Sequence, residues 1–159
     1  MPASSQKNNS RQTLVKYAGR ILTARPYFRV QLREKLFRRA EKEKFTNPGP
    51  IIDSILEDLA KSGYLNDQYL SEAFVRRQLS KHYGSRIISL KLKYLGLSQE
   101  AVAEALATSA PLEAEIASIR QYLQKFPHLD RRKLISKLYQ RGYSNRAVKS
   151  AFDGGYLED

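Results

Sequence analysis

Basic side chains recur at the spacing of one helical turn. Lys16 and Arg20 stand at i and i+4, as do Arg29 and Arg33, with Lys35, Arg38, Arg39 and Lys42 close behind and Arg25 between the two sets. Arg76, Arg77 and Lys81 form another group, Arg86 follows, and Arg131, Arg132 and Lys133 are consecutive. Cations one turn apart share a helix face, where they meet successive phosphates. Such contacts give affinity without sequence readout and a steep dependence on salt. The chain has 28 Lys and Arg against 16 Asp and Glu, a net charge of +12. Residues 1–50 hold 12 basic and 3 acidic side chains, whereas residues 51–110 hold 7 of each. An anionic partner is expected, nucleic acid or nucleoprotein, with its strongest contacts in the N-terminal third. The Arg131–Lys133 run opens a helix, where positive charge opposes the helix dipole. It reads either as a solvated helix start or as a place where an anion or acidic protein docks.

The aromatic residues divide by context. Tyr27, Phe28, Tyr83 and Tyr139 neighbour basic residues and offer rings for stacking on unpaired bases, although most aromatics at helical spacing are core. Phe74, Phe152, Tyr64 and Tyr143 fall at core positions.

Nothing in the chain assembles a reaction centre. His82 and His128 are the only histidines, and neither has a metal partner at i+3 or i+4. Cysteine is absent, so thiolate catalysis, a disulfide framework and cysteine zinc sites are excluded. No Gly-rich phosphate loop occurs; Gly154-Gly155 reads as a frayed end. Glu57-Asp58 and Glu41/Glu43 read as charged helix faces. Enzymatic activity, a catalytic residue, a metal and a cofactor are all unexpected. No apolar run is long enough to span a bilayer, and the opening MPASSQKNNSRQ lacks the apolar core of a signal peptide. A cytoplasmic setting with no membrane partner is expected.

The elements that carry these cations are helices. Leu14, Tyr17, Ala18, Ile21 and Leu22 form an apolar stripe, and Leu32, Leu36 and Ala40 a second. Ile52, Ile55, Leu56 and Leu59 mark a third, then Ile88, Leu92 and Leu95, then Ile116, Ile119, Leu123 and Phe126, then Leu134 and Leu138. Pro26 ends the first helix; Pro48 and Pro50 open the third and Gly63 closes it, with Gly84, Gly96, Pro127 and Gly142 at other joints. Asp67, Ser85, Ser98, Asp130 and Ser144 occupy expected N-cap positions. Gly96 and Gly142 suit the left-handed residue after a helix.

These helices repeat. Leu92–Leu106 aligns without a gap on Leu138–Phe152, 46 residues on, with identity at Leu92/Leu138, Gly96/Gly142, Ser98/Ser144, Ala101/Ala147, Val102/Val148 and Ala105/Ala151. Ile55–Leu59 aligns with Val102–Leu106, and Leu36–Ala40 with Leu92–Gly96, which gives a third, looser copy. The expectation is an all-α fold: a tandem array of three-helix repeats, about nine helices, elongated and curved. The divisions read as a disordered tail at 1–9, a basic first repeat at 10–62 with an insertion at 41–49, a second repeat at 63–109 and a third at 110–159. Leu95–Ser98 between two helices also resembles a helix-turn-helix turn. Its following helix carries Gln99, Glu100 and Glu104, a poor fit to a major groove. A sequence-specific DNA-binding protein and a helical scaffold without nucleic acid stay open as alternatives.

One block is more specific. Gly63-Tyr64-Leu65-Asn66-Asp67 is followed by Gln-Tyr-Leu70, Phe74-Val75 and Arg76-Arg77, then by Gly84, Arg86-Ile87 and Leu95-Gly96-Leu97. Together with Arg25-Pro-Tyr27 before Leu32 and Leu36, this resembles the RecX family, bacterial regulators of the RecA recombinase. The resemblance covers roughly Val15 to Phe152. Ser71 stands where the family usually has Ala, and the insertion near Glu41–Gly49 lengthens the first unit. The resemblance implies a non-enzymatic monomer, without cofactor, that binds the RecA nucleoprotein filament. Such a protein limits filament extension and damps ATP hydrolysis and strand exchange. DNA contacts would be non-specific, to single strands and secondarily to duplex. The motif residues Gly63, Tyr64, Leu65, Asp67, Phe74, Gly84, Gly96 and Gly142 read as structural, with Asp67 as an N-cap and Phe74 as packing. Contacts to DNA or RecA would come from the basic residues named at the outset.

Overall fold

Apolar residues recur every three or four positions from Leu14 onward, and the chain folds as that period requires. The computed structural model describes the backbone of residues 2–153 and the side chains of residues 8–153; Gly154 and Gly155 lie outside the described residues. Among these are nine helices and no strand: α1 Pro2–Ala24, α2 Arg29–Lys42, α3 Gly49–Lys61, α4 Asp67–Ser80, α5 Ser85–Tyr94, α6 Gln99–Ser109, α7 Leu112–Leu123, α8 Arg131–Gln140 and α9 Asn145–Asp153. Helix α1 starts at Pro2, so helical backbone runs through the stretch whose composition suggested a disordered tail. No helix among the described residues is long and apolar enough to cross a membrane. The chain divides into two compact units, Met1–Leu70 and Ser71–Asp159.

The first unit is a bundle of α1, α2 and α3. Leu14 and Ala18 meet Leu32, Leu36 and Ala40 of α2 and Ile52, Ile55 and Leu56 of α3, all essentially without solvent contact. Each such Leu or Ile side chain stabilises the fold by about 1.5–3 kcal/mol when fully buried. Tyr27 and Leu65 close the ends of this core. The stripe residues Tyr17, Ile21, Leu22 and Leu59 are partly buried against it.

Helix ends follow one recipe. Gly63, Gly96 and Gly142 have φ of 77°, 86° and 82°. In each case the next residue's N–H reaches back five residues, from Tyr64 to the Leu59 carbonyl, Leu97 to Leu92 and Tyr143 to Leu138. This pairing ties off carbonyls that the helix leaves open, and only a left-handed residue permits it. His82 (φ 60°) closes α4 the same way without glycine, with Tyr83 N–H on the Gln78 carbonyl. Lys44 (φ 56°) does so for α2, with Phe45 N–H on Ala40. The repeat aligns Ala40 with Gly96, yet Ala40 is buried inside α2. The insertion continues that helix by a turn and passes the left-handed place to Lys44.

Helix starts correct two expectations. Asp67 does not cap α4: Asn66 does, its side-chain oxygen accepting from Tyr69 N–H at 2.9 Å and its carbonyl from Leu70 N–H. The Asp67 carboxylate instead accepts from Arg29 N–H at 2.9 Å, so it caps α2. Gly84, not Ser85, is the N-cap of α5. Ser98, Asp130 and Ser144 cap α6, α8 and α9 through their side chains.

The second unit is built around α7 and α9. Its core joins Val75, Ile88, Leu92, Val102, Ile119, Leu138, Tyr143, Ala147 and Ala151. Two turns lock together within it. Gly84 N–H donates to the Arg141 carbonyl at 2.8 Å, and Arg86 N–H to the Gly142 carbonyl at 3.0 Å. A Cβ at Gly84 would lie 2.2 Å from Tyr143 N, so close backbone approach, not left-handed φ, demands glycine there. Buried Glu115 holds the starts of two helices: Ser85 N–H donates to one carboxylate oxygen at 2.7 Å and the Ser144 hydroxyl to the other at 2.9 Å. Its negative charge faces both N-termini, where the helix dipoles favour it.

Two aromatic residues sit differently from expectation. Tyr64 is 68% exposed instead of core. Phe74 is half-buried, lining a groove beside α5. Of the aromatics beside basic residues, Tyr27 and Phe28 are buried, Tyr27 within the core of α1, α2 and α3, so neither ring is open for stacking on a base. Phe152 and Tyr143 are buried as core.

Candidate nucleic-acid interface

Helix α2 presents its arginines on two sides, and the sides differ in charge balance. Toward α3, Arg29 pairs with Glu57 and Arg33 with Asp53; from α1, Arg11 pairs with Asp58 and donates to the Ser54 hydroxyl. The Arg33 guanidinium also lies 4.8 Å from the Phe37 ring. Along α2, Arg38 pairs with Glu34 and Arg39 with Glu43. The carboxylates of α3 thus neutralise the cations they face, so this side carries little net field. Exposed pairs of this kind are worth about 0–1 kcal/mol each.

The side formed by α1 and α2 is different. Thr13, Lys16, Tyr17, Arg20 and Arg39 line a shallow open cleft with no acidic residue. The Arg20 and Arg39 guanidinium carbons each lie 5.6 Å from the Tyr17 ring centre. Lys16 and Arg20 are exposed and make no ion pair among the described residues. At the other end of α2, Arg25 and Lys35 share the Tyr27 ring at 4.3 and 5.4 Å, also without an ion pair among the described residues. Two helices therefore bring Lys16, Arg20 and Arg39 together, and a buried tyrosine orients Arg25 and Lys35. A cup of cations over an aromatic floor suits a phosphate or another oxyanion.

In the second unit, Arg76 is held by Glu72 at 3.9 Å and by the Ser109 hydroxyl at 3.1 Å. Arg77, Lys81, Arg86, Arg132 and Lys133 are exposed and make no ion pair among the described residues. Arg131 lies 5.1 Å from the Phe152 ring. The cationic start of α8 is offset locally by Asp130, whose carboxylate accepts from Arg132 N–H at 3.1 Å.

Some basic residues that spacing did not single out are structural. Arg141 donates to the carbonyls of His82 and Lys81 at 2.6 and 2.8 Å and lies over Tyr83 and Tyr122. It thereby ties the end of α4 to the end of α8. The one signal for it is that the repeat places Arg141 where the earlier copy has Leu95. Tyr83 is half-buried between Arg141 and Lys91; Tyr139 is 40% exposed.

One cluster has the residue types of a nucleophile and its base. His82 Nδ1 lies 3.4 Å from Ser118 Oγ, with the Tyr143 hydroxyl 2.7 Å from the same oxygen. Ser118, however, donates to the Leu79 carbonyl at 2.9 Å, and all three residues are buried. Burial pushes the Tyr143 hydroxyl up to about 12 and keeps it protonated, against the lowering effect of its bond to Ser118. Burial, Lys125 and Arg141 lower the His82 imidazole, against a raising contact with Ser118. The hydroxyls are satisfied within the core. No cluster of His, Asp or Glu able to hold a metal occurs among the described residues.

No family model matches the chain. It is 32% identical over 143 residues to the regulatory protein RecX of Herbaspirillum seropedicae, covering 87% of this chain and 88% of that protein. It is 30% identical over 138 residues to the RecX of Herminiimonas arsenicoxydans, covering 83% and 85%. Among solved structures, a crystal structure of a regulatory protein RecX superimposes with a TM-score of 0.76 at 18% identity, over 95% of this chain and 75% of the other. RecX from Lactobacillus salivarius gives 0.74 at 17% identity, over 92% and 97%. The fold is therefore that of a tandem array of three-helix repeats. By its likeness to the Herbaspirillum protein over most of both chains, this chain belongs to the RecX family of regulatory proteins.

Proposed function

We propose that this protein binds the RecA filament on single-stranded DNA, limits its extension, and inhibits its ATPase and strand-exchange activities. Family membership over 87% of the chain is the observation that carries this reading. The unpaired cations Lys16, Arg20, Arg25 and Lys35 on the first unit support a nucleoprotein partner, because they leave positive charge free to meet phosphates. DNA contact is then non-specific, stronger for single strands and secondary for duplex. The protein acts as a monomer whose repeats run 10–62, 63–109 and 110–159.

The helix-turn-helix reading gains no support. Glu100 and Glu104 are exposed on α6, the helix that would enter a groove. The test is the single-stranded-DNA-dependent ATPase of RecA, measured against increasing amounts of this protein. Inhibition at or below one copy per RecA is expected. Full ATPase activity at a several-fold excess would remove the proposal.

A further inference from the structure

Helix α5 buries one stripe and leaves the opposite one bare. Ile88 and Leu92 are wholly buried. Leu90 and Tyr94, about 200° further round the helix at roughly 100° per residue, are 66% and 91% exposed. Arg86, one turn earlier, continues their stripe. Grooves flank Leu90 on both sides. Toward α4 the lining is almost wholly apolar, from Phe74, Leu90, Tyr94, Leu95 and the stem of Lys91. Toward α6, Arg86 and Leu106 meet the other side of Leu90. Contiguous exposed apolar surface of this kind marks a contact site more often than it serves the fold.

Helix α5 and the turns that flank it are one-sided in charge. From Lys81 to Gln99 the chain carries four basic side chains and no acidic one. Lys91 is fixed at the groove, its ammonium donating to Gln78 Oε1 at 2.7 Å and lying 3.9 Å from the Tyr83 ring. We infer that the exposed face of α5 is a protein-docking surface for an acidic segment that carries apolar side chains. Bases need flat exposed rings, and this face offers only Tyr94. An aliphatic ridge between two grooves instead fits apolar side chains laid on either side, while Arg86 and Lys93 meet carboxylates. The inference rests on the reading above that the partner is the RecA filament. It assigns α5 to the protein component of that filament and leaves phosphate contact to Lys16 and Arg20.

The test is the double variant Leu90→Glu with Tyr94→Ala in the full chain. Both positions are exposed, so unchanged helicity and melting temperature are expected. Cosedimentation with RecA filaments on oligo(dT) should weaken about tenfold, with affinity for oligo(dT) alone kept within about twofold. Unchanged filament binding would overturn the docking surface. An equal loss on oligo(dT) alone would make α5 a nucleic-acid face. Concentration-dependent self-association of the wild type that the variant abolishes would make it an interface between copies. If the wild type binds filaments without inhibiting the ATPase, the functional reading fails while the docking surface is still decided by the variant. No wild-type binding at all overturns both.

Discussion

Removing Lys16 and Arg20 should lower the salt dependence of DNA binding in a way that removing Arg29 and Arg33 does not. All four side chains come from the basic N-terminal third, and spacing treats them alike. The structure separates them: Arg29 and Arg33 face Glu57 and Asp53, whereas Lys16 and Arg20 face no carboxylate. A phosphate can displace an exposed carboxylate cheaply, since such pairs are worth about 0–1 kcal/mol. The displaced carboxylate stays beside that phosphate and offsets the arginine, so a paired arginine neutralises little phosphate charge, and only neutralised phosphates release counterions. Each phosphate neutralised on a single strand contributes about 0.7 to the slope of log K against log salt. Lys16→Ala with Arg20→Ala should therefore flatten the slope by about 1.4. Its affinity penalty should shrink about sevenfold between roughly 50 and 200 mM salt. Arg29→Ala with Arg33→Ala should change the slope by less than about 0.3. Fluorescence anisotropy with labelled oligo(dT) at four salt concentrations measures both. Equal flattening by the two variants would refute the distinction, because the carboxylates of α3 would then give way without electrostatic consequence. Arg29, Arg33 and Arg39 are accordingly poor sites for charge reversal, which would set glutamate against Glu57, Asp53 and Glu43.

Three further outcomes test the packing. Glu115→Ala removes two hydrogen bonds to a buried carboxylate and should cost about 3 kcal/mol in urea unfolding, with Glu115→Gln costing about 1 kcal/mol; a loss below roughly 0.5 kcal/mol for the alanine variant would show that solvent replaces the clasp. Gly84→Ala places a methyl group on the Tyr143 backbone and should cost about 3 kcal/mol or more, read as a fall in melting temperature; a wild-type melt would mean the two turns separate freely. Because burial, Lys125 and Arg141 lower the His82 pKa from 6.5, the unfolded chain takes the proton first as pH falls. Stability contributed at pH 7.5 should then decline through pH 6.5 toward the lower folded-state value, and His82→Asn, which tolerates φ near 60°, should flatten the urea midpoint between about pH 7.5 and 5.5. An unchanged pH profile in that variant would exclude His82 as its source.

Much of the fold is legible because its signals are local. The stripes of α2 and α8 are read from spacing and are buried as read, as are Ile52, Ile55 and Leu56 of α3. A helix encodes its own face every 3.6 residues, and the Gly63, Gly96 and Gly142 endings close within six residues of chain. Caps at Ser98, Asp130 and Ser144 act within three residues and are legible for the same reason.

Partners across elements are not legible in that way. Asp67 has the type and place of an N-cap, yet its carboxylate serves Arg29, 38 residues away. Glu115 looks like an acidic residue in the first turn of α7 and is a buried clasp on α5 and α9. Both outcomes depend on how helices are rotated about their axes and how closely their ends approach, which no within-helix spacing records. The same holds for the cations. The sequence by itself determined an all-helical repeat with a basic N-terminal third. Tertiary structure alone decided which of those cations meet α3 carboxylates and which stay open around Tyr17, and it alone left Leu90 and Tyr94 bare. Ion pairing and exposure are settled by distances between elements, and those distances exist only once the helices have packed.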